Sequence, residues 1–329
     1  MSSQAQPAPK TQSGWKSILK RAWPTIRVLL SIALLWKATS GIDWHSLFDS
    51  HIQMQPLWFL AALASMMSAF ICGGYRWGLF MQSVGFPRRI RSYIGLYFAG
   101  GLINQGLPTT LGGDSYRAIS SFKQLQIPEH TPQTLPLSFF GVLLDRSLGF
   151  AGNSILGAIG LTLGGAVLGA WVPDLGLFLL ISMLLGALLI ATLLQIPKTQ
   201  NMYLKLIRGM KINHALKPTQ TAWGFPNVWW QIVLATAIHF LTLAAFWACL
   251  KACHVEAPIE SLLIGIPAIG LLMLVPISIS GWGLRETSLA GMLALWGVDP
   301  SLVILSSLLY GLTILITFLP GLPRIIQKG

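Results

Sequence analysis

Residues 107–118 read LPTTLGGDSYRA, with a Pro, two Gly, an Asp and an Arg close together. On both sides lie runs of Leu, Ile, Phe, Gly and Ala that have the look of membrane spans. Charge is costly inside a bilayer, and Gly and Pro are poor helix interiors. Their joint placement marks a break built into a membrane-embedded helix.

The break has a near-copy. LVPISISGWGLRE (274–286) overlays GLPTTLGGDSYRA (106–118) without a gap, pairing Pro108 with Pro276, Gly113 with Gly281 and Arg117 with Arg285. Only the acid moves: Asp114 precedes its Arg and Glu286 follows its own. A Pro ends the incoming helix, and Gly lets the backbone turn. The outgoing half-helix then offers unpaired N–H groups and its positive dipole end to an anion. Arg117 and Arg285 each add a planar guanidinium suited to bidentate phosphate contact, and Asp114 and Glu286 compensate them when the site is empty.

Composition agrees with a membrane setting. The 329 residues are 53% hydrophobic and 10% charged, with mean hydropathy +0.65, against about 25% charged residues in soluble domains. The net charge of +12 comes from basic residues in short segments between apolar runs. That placement speaks for membrane orientation and anionic lipid contact, not nucleic-acid binding. Cys72, Cys249 and Cys253 lie in or beside apolar runs and read as packing residues.

Apolar length suggests full spans over about 24–40, 57–81, 136–169, 175–196, 228–250 and 301–323. In the first, Arg27 and Lys37 would snorkel from near its ends. Segment 1–22 is expected to be a disordered, basic cytoplasmic terminus, and 23–329 a single polytopic membrane domain. Basic clusters at Lys10–Arg21, Arg88–Arg91, Lys198–Lys217 and Arg324–Lys328 face the cytoplasm by the positive-inside rule, and the acidic loops face outward. Segments 93–127 and 259–297 then become re-entrant hairpins entering from opposite faces, although two ordinary spans each would keep the same parity. Broken helices inserted from opposite sides are the pattern of an inverted repeat. The fold class is therefore an all-α integral membrane protein of about six full spans plus two broken-helix hairpins. Residues 202–217 read equally well as a basic interfacial helix or a solvated loop.

A further charged pair, Asp145–Arg146, lies inside the long apolar run SFFGVLLDRSLGFAG and joins the candidate site. Arg76, beside Trp77, reads as a snorkelling anchor, and His239 as a hydrogen-bonded packing residue. Gly160/Gly164 and Gly165/Gly169 have the spacing of close helix contacts. The loop with Asp43, His45, Asp49 and His51 reads as a polar outward loop rather than a metal site. GWG at 281–283 is no dinucleotide motif, because no strand precedes it.

These blocks resemble the lysylphosphatidylglycerol synthase transmembrane-region family, the flippase-like domain. The resemblance is carried by Asn104, Pro108, Gly112, Gly113, Asp114 and Arg117; by Asp145, Arg146 and Gly149; and by Pro276, Ser278, Ser280, Gly281, Gly283, Arg285 and Glu286, with Arg76–Trp77 also fitting. In its best-known member this domain moves aminoacylated phosphatidylglycerol across the membrane, ahead of a soluble aminoacyl-transferase domain. The chain ends at Gly329 without such a domain, so no synthase activity is expected. The resemblance implies lipid translocation, or binding of an anionic headgroup, at Asn104, Gly112, Gly113, Asp114, Arg117, Asp145, Arg146, Gly281, Gly283, Arg285 and Glu286. No catalytic residue, metal or cofactor is expected. The expected partners are membrane lipids, with a lipid-modifying enzyme as a further candidate. The expected setting is the inner or plasma membrane, with both termini cytoplasmic. Two alternatives stand beside translocation: a scaffold in a lipid-modifying pathway, and a lipid-phosphate transferase or hydrolase with Asp114 or Glu286 as base.

Overall fold

The computed structural model describes residues 14–40, 54–83, 86, 89–107, 111–124, 134–171, 227–273 and 277–326. Among them there is no strand. In chain order the described helices are α1 (Gly14–Ser40), α2 (Pro56–Ser83), α3 (Ile90–Gly106), α4 (Leu111–Gln124), α5 (Thr134–Trp171), α6 (Asn227–Ala252), α7 (Ile259–Leu272), α8 (Leu284–Ala294) and α9 (Pro300–Phe318). A turn of 3₁₀ helix, Leu319–Gly321, and α10 (Leu322–Ile326) complete them.

Among the described residues, four stretches are long and apolar enough to cross a bilayer: Pro56–Gln82, Gly141–Gly164, Trp229–Ala252 and Pro300–Ile326. They coincide with four of the expected spans. The stretch expected at 24–40 is helical but is not among them. Its Arg27 is buried rather than snorkelling, with its guanidinium carbon 4.9 Å from the centre of the Trp23 ring. The helix also begins earlier than the sequence suggested. Residues 14–22, expected to be disordered, are helical and form the start of α1. The expected span 175–196, the segment 202–217 and the loop carrying His45 and His51 lie outside the described residues.

Close packing rests on small residues. The central layer joins α2 and α6, with Trp58 meeting Trp247 edge-on at 5.1 Å. Gly152 of α5 lies against the backbone of Ala235 and Thr236 in α6, and Gly160 against the backbone at Leu263 in α7. Gly164 meets the Glu260 side chain, so the Gly160/Gly164 pair does form a helix contact. Gly74 of α2 faces the Ile94 backbone of α3 in the same way. Large apolar side chains such as Leu57, Trp36 and Leu163 point outward, as they do on a helix surrounded by lipid.

Both breaks separate a pair of helices, α3 from α4 and α7 from α8, and each pair packs together. Local geometry nevertheless differs between them. α4 opens at Leu111, two residues before Gly113, whereas α8 opens at Leu284, three residues after Gly281. Gly112 and Gly113 are therefore helical, which corrects their reading as turn residues. Gly113 serves close approach: a side chain there would meet the Gly100 carbonyl and the Asn104 amide. The turning glycines belong to the second break, where Gly281 and Gly283 both have φ +81°.

The second break is braced from two sides. Ser31 of α1 donates to the Arg27 carbonyl at 2.8 Å and accepts from the Ile279 N–H at 2.7 Å. Ser280, at φ +50°, donates to Gln105 Oε1 at 2.7 Å. That bond joins the end of α3 to the second break, so the two interruptions touch.

Candidate functional site

A cavity of about 390 Å³ lies where the breaks meet. Its wall combines Asn104 and Gln105 from α3, Asp114 and Arg117 from α4, Asp145 and Arg146 from α5, and Ser278, Ser280 and Gly281 from the second break. Arg76 of α2, Asn153 of α5 and His239 of α6 complete its polar face.

The charges form one alternating chain. Arg76 Nη2 donates to Asp145 Oδ1 at 2.6 Å and to the Asp145 carbonyl at 2.9 Å. Arg117 Nη1 donates to the other oxygen of Asp145 at 3.0 Å, while its Nη2 donates to Asp114 Oδ1 at 3.0 Å. Arg146 grips Asp114 as a fork, Nε to Oδ2 at 2.9 Å and Nη2 to Oδ1 at 3.0 Å. The order is thus Arg76, Asp145, Arg117, Asp114, Arg146: three guanidinium groups against two carboxylates.

Local sequence sets these positions. Asp114 and Arg117 are i and i+3 on α4, spaced to pair on one face. Asp114 occupies the first turn, where the helix dipole favours a carboxylate. Asn104 Oδ1 accepts the Gly113 N–H at 2.7 Å, taking one of the amides that a helix start leaves unpaired. Trp77 and Tyr97 flank the Arg117 guanidinium, each ring centre 4.9 Å from its carbon. Their faces supply the cation–π contact that a buried arginine needs.

Arg285 and Glu286 are placed differently. Neither lines the cavity; both are buried beside α9. Glu286 Oε2 accepts the Gly283 N–H at 2.6 Å, and Oε1 accepts from Arg285 Nε at 3.0 Å and from Ser307 Oγ at 3.3 Å. Arg285 also packs over Trp282 and Tyr310, 5.0 and 5.7 Å from their ring centres. Glu286 thus back-bonds to the residue capping α8, in the manner of a capping box, and its own arginine closes the arrangement. Gly283 stands against Leu34 and Leu35 of α1 rather than the cavity. At both helix starts an amide expected to face an anion, that of Gly113 or Gly283, is taken by a side chain of the protein itself.

Of the sequence candidates, Asn104, Asp114, Arg117, Asp145, Arg146 and Gly281 line one cavity; Gly112, Gly113, Gly283, Arg285 and Glu286 do not. Arg76 is the correction of most consequence. It is buried and ion-paired rather than snorkelling, and it sits seven residues before the end of α2, about 10 Å at the rise of a helix. That depth, with Gly73 and Gly74 just before it, was the available signal. His239 bonds to the Gly149 carbonyl at 2.8 Å, as a packing histidine would, and also reaches the cavity wall. Gln105 carried no signal in the sequence, and Ser280, though part of the second motif, gave no hint of its partner, because that bond exists only in the fold. Among the described residues no group of His, Cys, Asp and Glu is placed to hold a metal ion, and Cys72, Cys249 and Cys253 are free thiols.

A family model described as the lysylphosphatidylglycerol synthase TM region matches residues 25–321. No curated protein matches the chain.

Proposed function

We propose that this chain, which belongs to the lysylphosphatidylglycerol synthase TM-region family, binds a lipid with an anionic headgroup in the cavity between its two helix breaks and moves it across the membrane. The observation that carries this reading is the buried alternating chain of Arg76, Asp145, Arg117, Asp114 and Arg146. Ionisable groups at such depth are costly unless paired, and they mark substrate paths in membrane proteins. Here the pairing leaves one guanidinium in excess.

Each residue has a part in this reading. Arg146, the exposed end of the chain, meets the headgroup. Asp114 and Asp145 hold the guanidinium groups in place while the cavity is empty. Asn104 and Gly281 shape the wall at each break. Arg285 and Glu286 act at one remove, by holding the second break in its turn. The protein carries out no covalent chemistry in this account.

The topology proposed with it is a single membrane domain over 23–329, with both termini cytoplasmic. It has six full spans, with 93–127 and 259–297 as hairpins from opposite faces. Contact between Gln105 and Ser280 supports breaks that meet at depth. Thiol labelling of Thr110→Cys and Ile279→Cys from each side of the membrane tests the hairpins.

Translocation is tested in proteoliposomes by the loss of a labelled anionic lipid from one leaflet. Arg146→Ala and Arg117→Ala are expected to abolish it in protein that remains monodisperse. Normal transport by both variants overturns the reading. Inactivity of the wild type, with stable co-purification of a lipid-modifying enzyme, favours a scaffold instead.

A further inference from the structure

The cavity holds an odd number of charges, and the odd one is in a distinct place. Arg76 and Arg117 are each only 5% exposed at the side chain, and both are engaged with Asp145. Arg117 is held further by Asp114 and by two aromatic faces. Arg146 is 47% exposed at the side chain while keeping its fork on Asp114. Formally, three positive and two negative groups line the cavity, which leaves +1. The other titratable wall residues are His239, whose Nε2 is committed to the Gly149 carbonyl, and Tyr97, whose ring faces the Arg117 guanidinium.

A net charge in a largely apolar cavity is costly unless a ligand supplies its opposite. One phosphodiester supplies a single negative charge. A phosphomonoester supplies between one and two at neutral pH, and so overshoots.

We propose that the cavity selects its lipid by charge count, taking a headgroup with one net negative charge on a phosphodiester, with Arg146 as the specificity-determining contact. The proposal rests on the reading of the cavity as a headgroup site. Arg146 is suited to the task because its guanidinium combines a carboxylate grip with an open edge. The same planar fork can hold Asp114 on one side and a phosphate oxygen on the other. Asp114 then sets the count by cancelling one arginine. Removing Asp114's charge raises the total to +2, and removing that of Arg146 lowers it to zero.

The test uses the full chain in phosphatidylcholine nanodiscs doped with phosphatidylglycerol, with doubly ionised phosphatidate or with diacylglycerol. Retained lipid is read by native mass spectrometry. Wild type is expected to retain phosphatidylglycerol over the other two by about tenfold or more, the factor expected from one charge-assisted contact. Asp114→Asn shifts the preference toward phosphatidate. Arg146→Gln loses the preference of phosphatidylglycerol over phosphatidylcholine, and Arg146→Lys keeps most of it. A purely structural role for Arg146 would lower retention of every lipid together and leave these ratios unmoved. Wild type that retains phosphatidate equally well overturns the charge rule, as do unchanged ratios in both Asp114→Asn and Arg146→Gln. Soluble glycerophosphoglycerol serves as a competitor. If it binds as tightly as the lipid, the ligand is a water-soluble phosphodiester and the lipid assignment falls. If wild type retains no added lipid, the headgroup reading fails, an outcome separate from failure of the charge rule.

Discussion

Asp145→Asn offers a severe test of the ion chain, because the substitution keeps shape and removes one charge between two guanidinium groups. Asp145 is 2.6 Å from Arg76 and 3.0 Å from Arg117, and all three side chains are at most 5% exposed. At an effective dielectric of about 20, Coulomb's law puts each contact near 6 kcal/mol before desolvation. Desolvation cancels much of that, and measured losses on breaking a buried pair are about 3–5 kcal/mol. Asp145→Asn is expected at the upper end, since it takes the carboxylate from Arg76 and leaves Arg117 with Asp114 alone. Arg76→Met alone leaves Asp145 paired with Arg117 and should cost less. The double variant removes a complete charge pair, so its loss should fall short of the sum of the two single losses by about 0.5–3 kcal/mol, the range of coupling seen between contacting residues. Equilibrium unfolding in mixed micelles measures all four corners of this cycle. A double variant with strictly additive losses would show that Arg76 and Asp145 are not coupled, and the ion chain would then be wrong at its most buried link.

Three other substitutions probe separate parts of the argument. Gly113→Ala drives a methyl into the Gly100 carbonyl and Asn104; a loss of about 1–3 kcal/mol, the usual range for overpacking, is expected in the same unfolding assay. Glu286→Gln strands Arg285 beside α9 and should lower stability by about 3–5 kcal/mol, yet leave the ratio of lipids retained unchanged, because the pair lies off the cavity. A changed ratio would place Arg285 in the ligand's reach. Ser280→Ala removes the bond to Gln105 and should cost about 1 kcal/mol, with increased thiol labelling of a cysteine placed at the break.

The two helix breaks were legible because their causes are local. Charge is rare inside apolar runs, and the near-copy of the whole Pro–Gly–Arg pattern at 274–286 makes chance a poor explanation. The same local reading overstated the symmetry of the breaks. Gly113 and Gly281 align in the chain, yet one is a helix-packing residue and the other a turn with positive φ. A glycine pattern does not distinguish room for a neighbour from freedom to turn. Arg76 was misread for a related reason: its partner, Asp145, lies 69 positions away, and no periodicity connects them.

Composition and apolar length were enough for a helical membrane protein, and the four long apolar helices among the described residues follow directly from hydropathy. Asp114, Arg117, Asp145 and Arg146 were also visible there, because charge within a span is conspicuous. Which arginine meets which acid was not. Arg117 and Arg285 look equivalent in the chain, but one ends in a five-membered ion chain on a cavity wall and the other in a closed pair that caps α8. The difference arises from what packs against each side chain: α2 and α5 in the first case, α9 in the second. Pairing within a fold depends on three-dimensional proximity, and only the packed helices supply it.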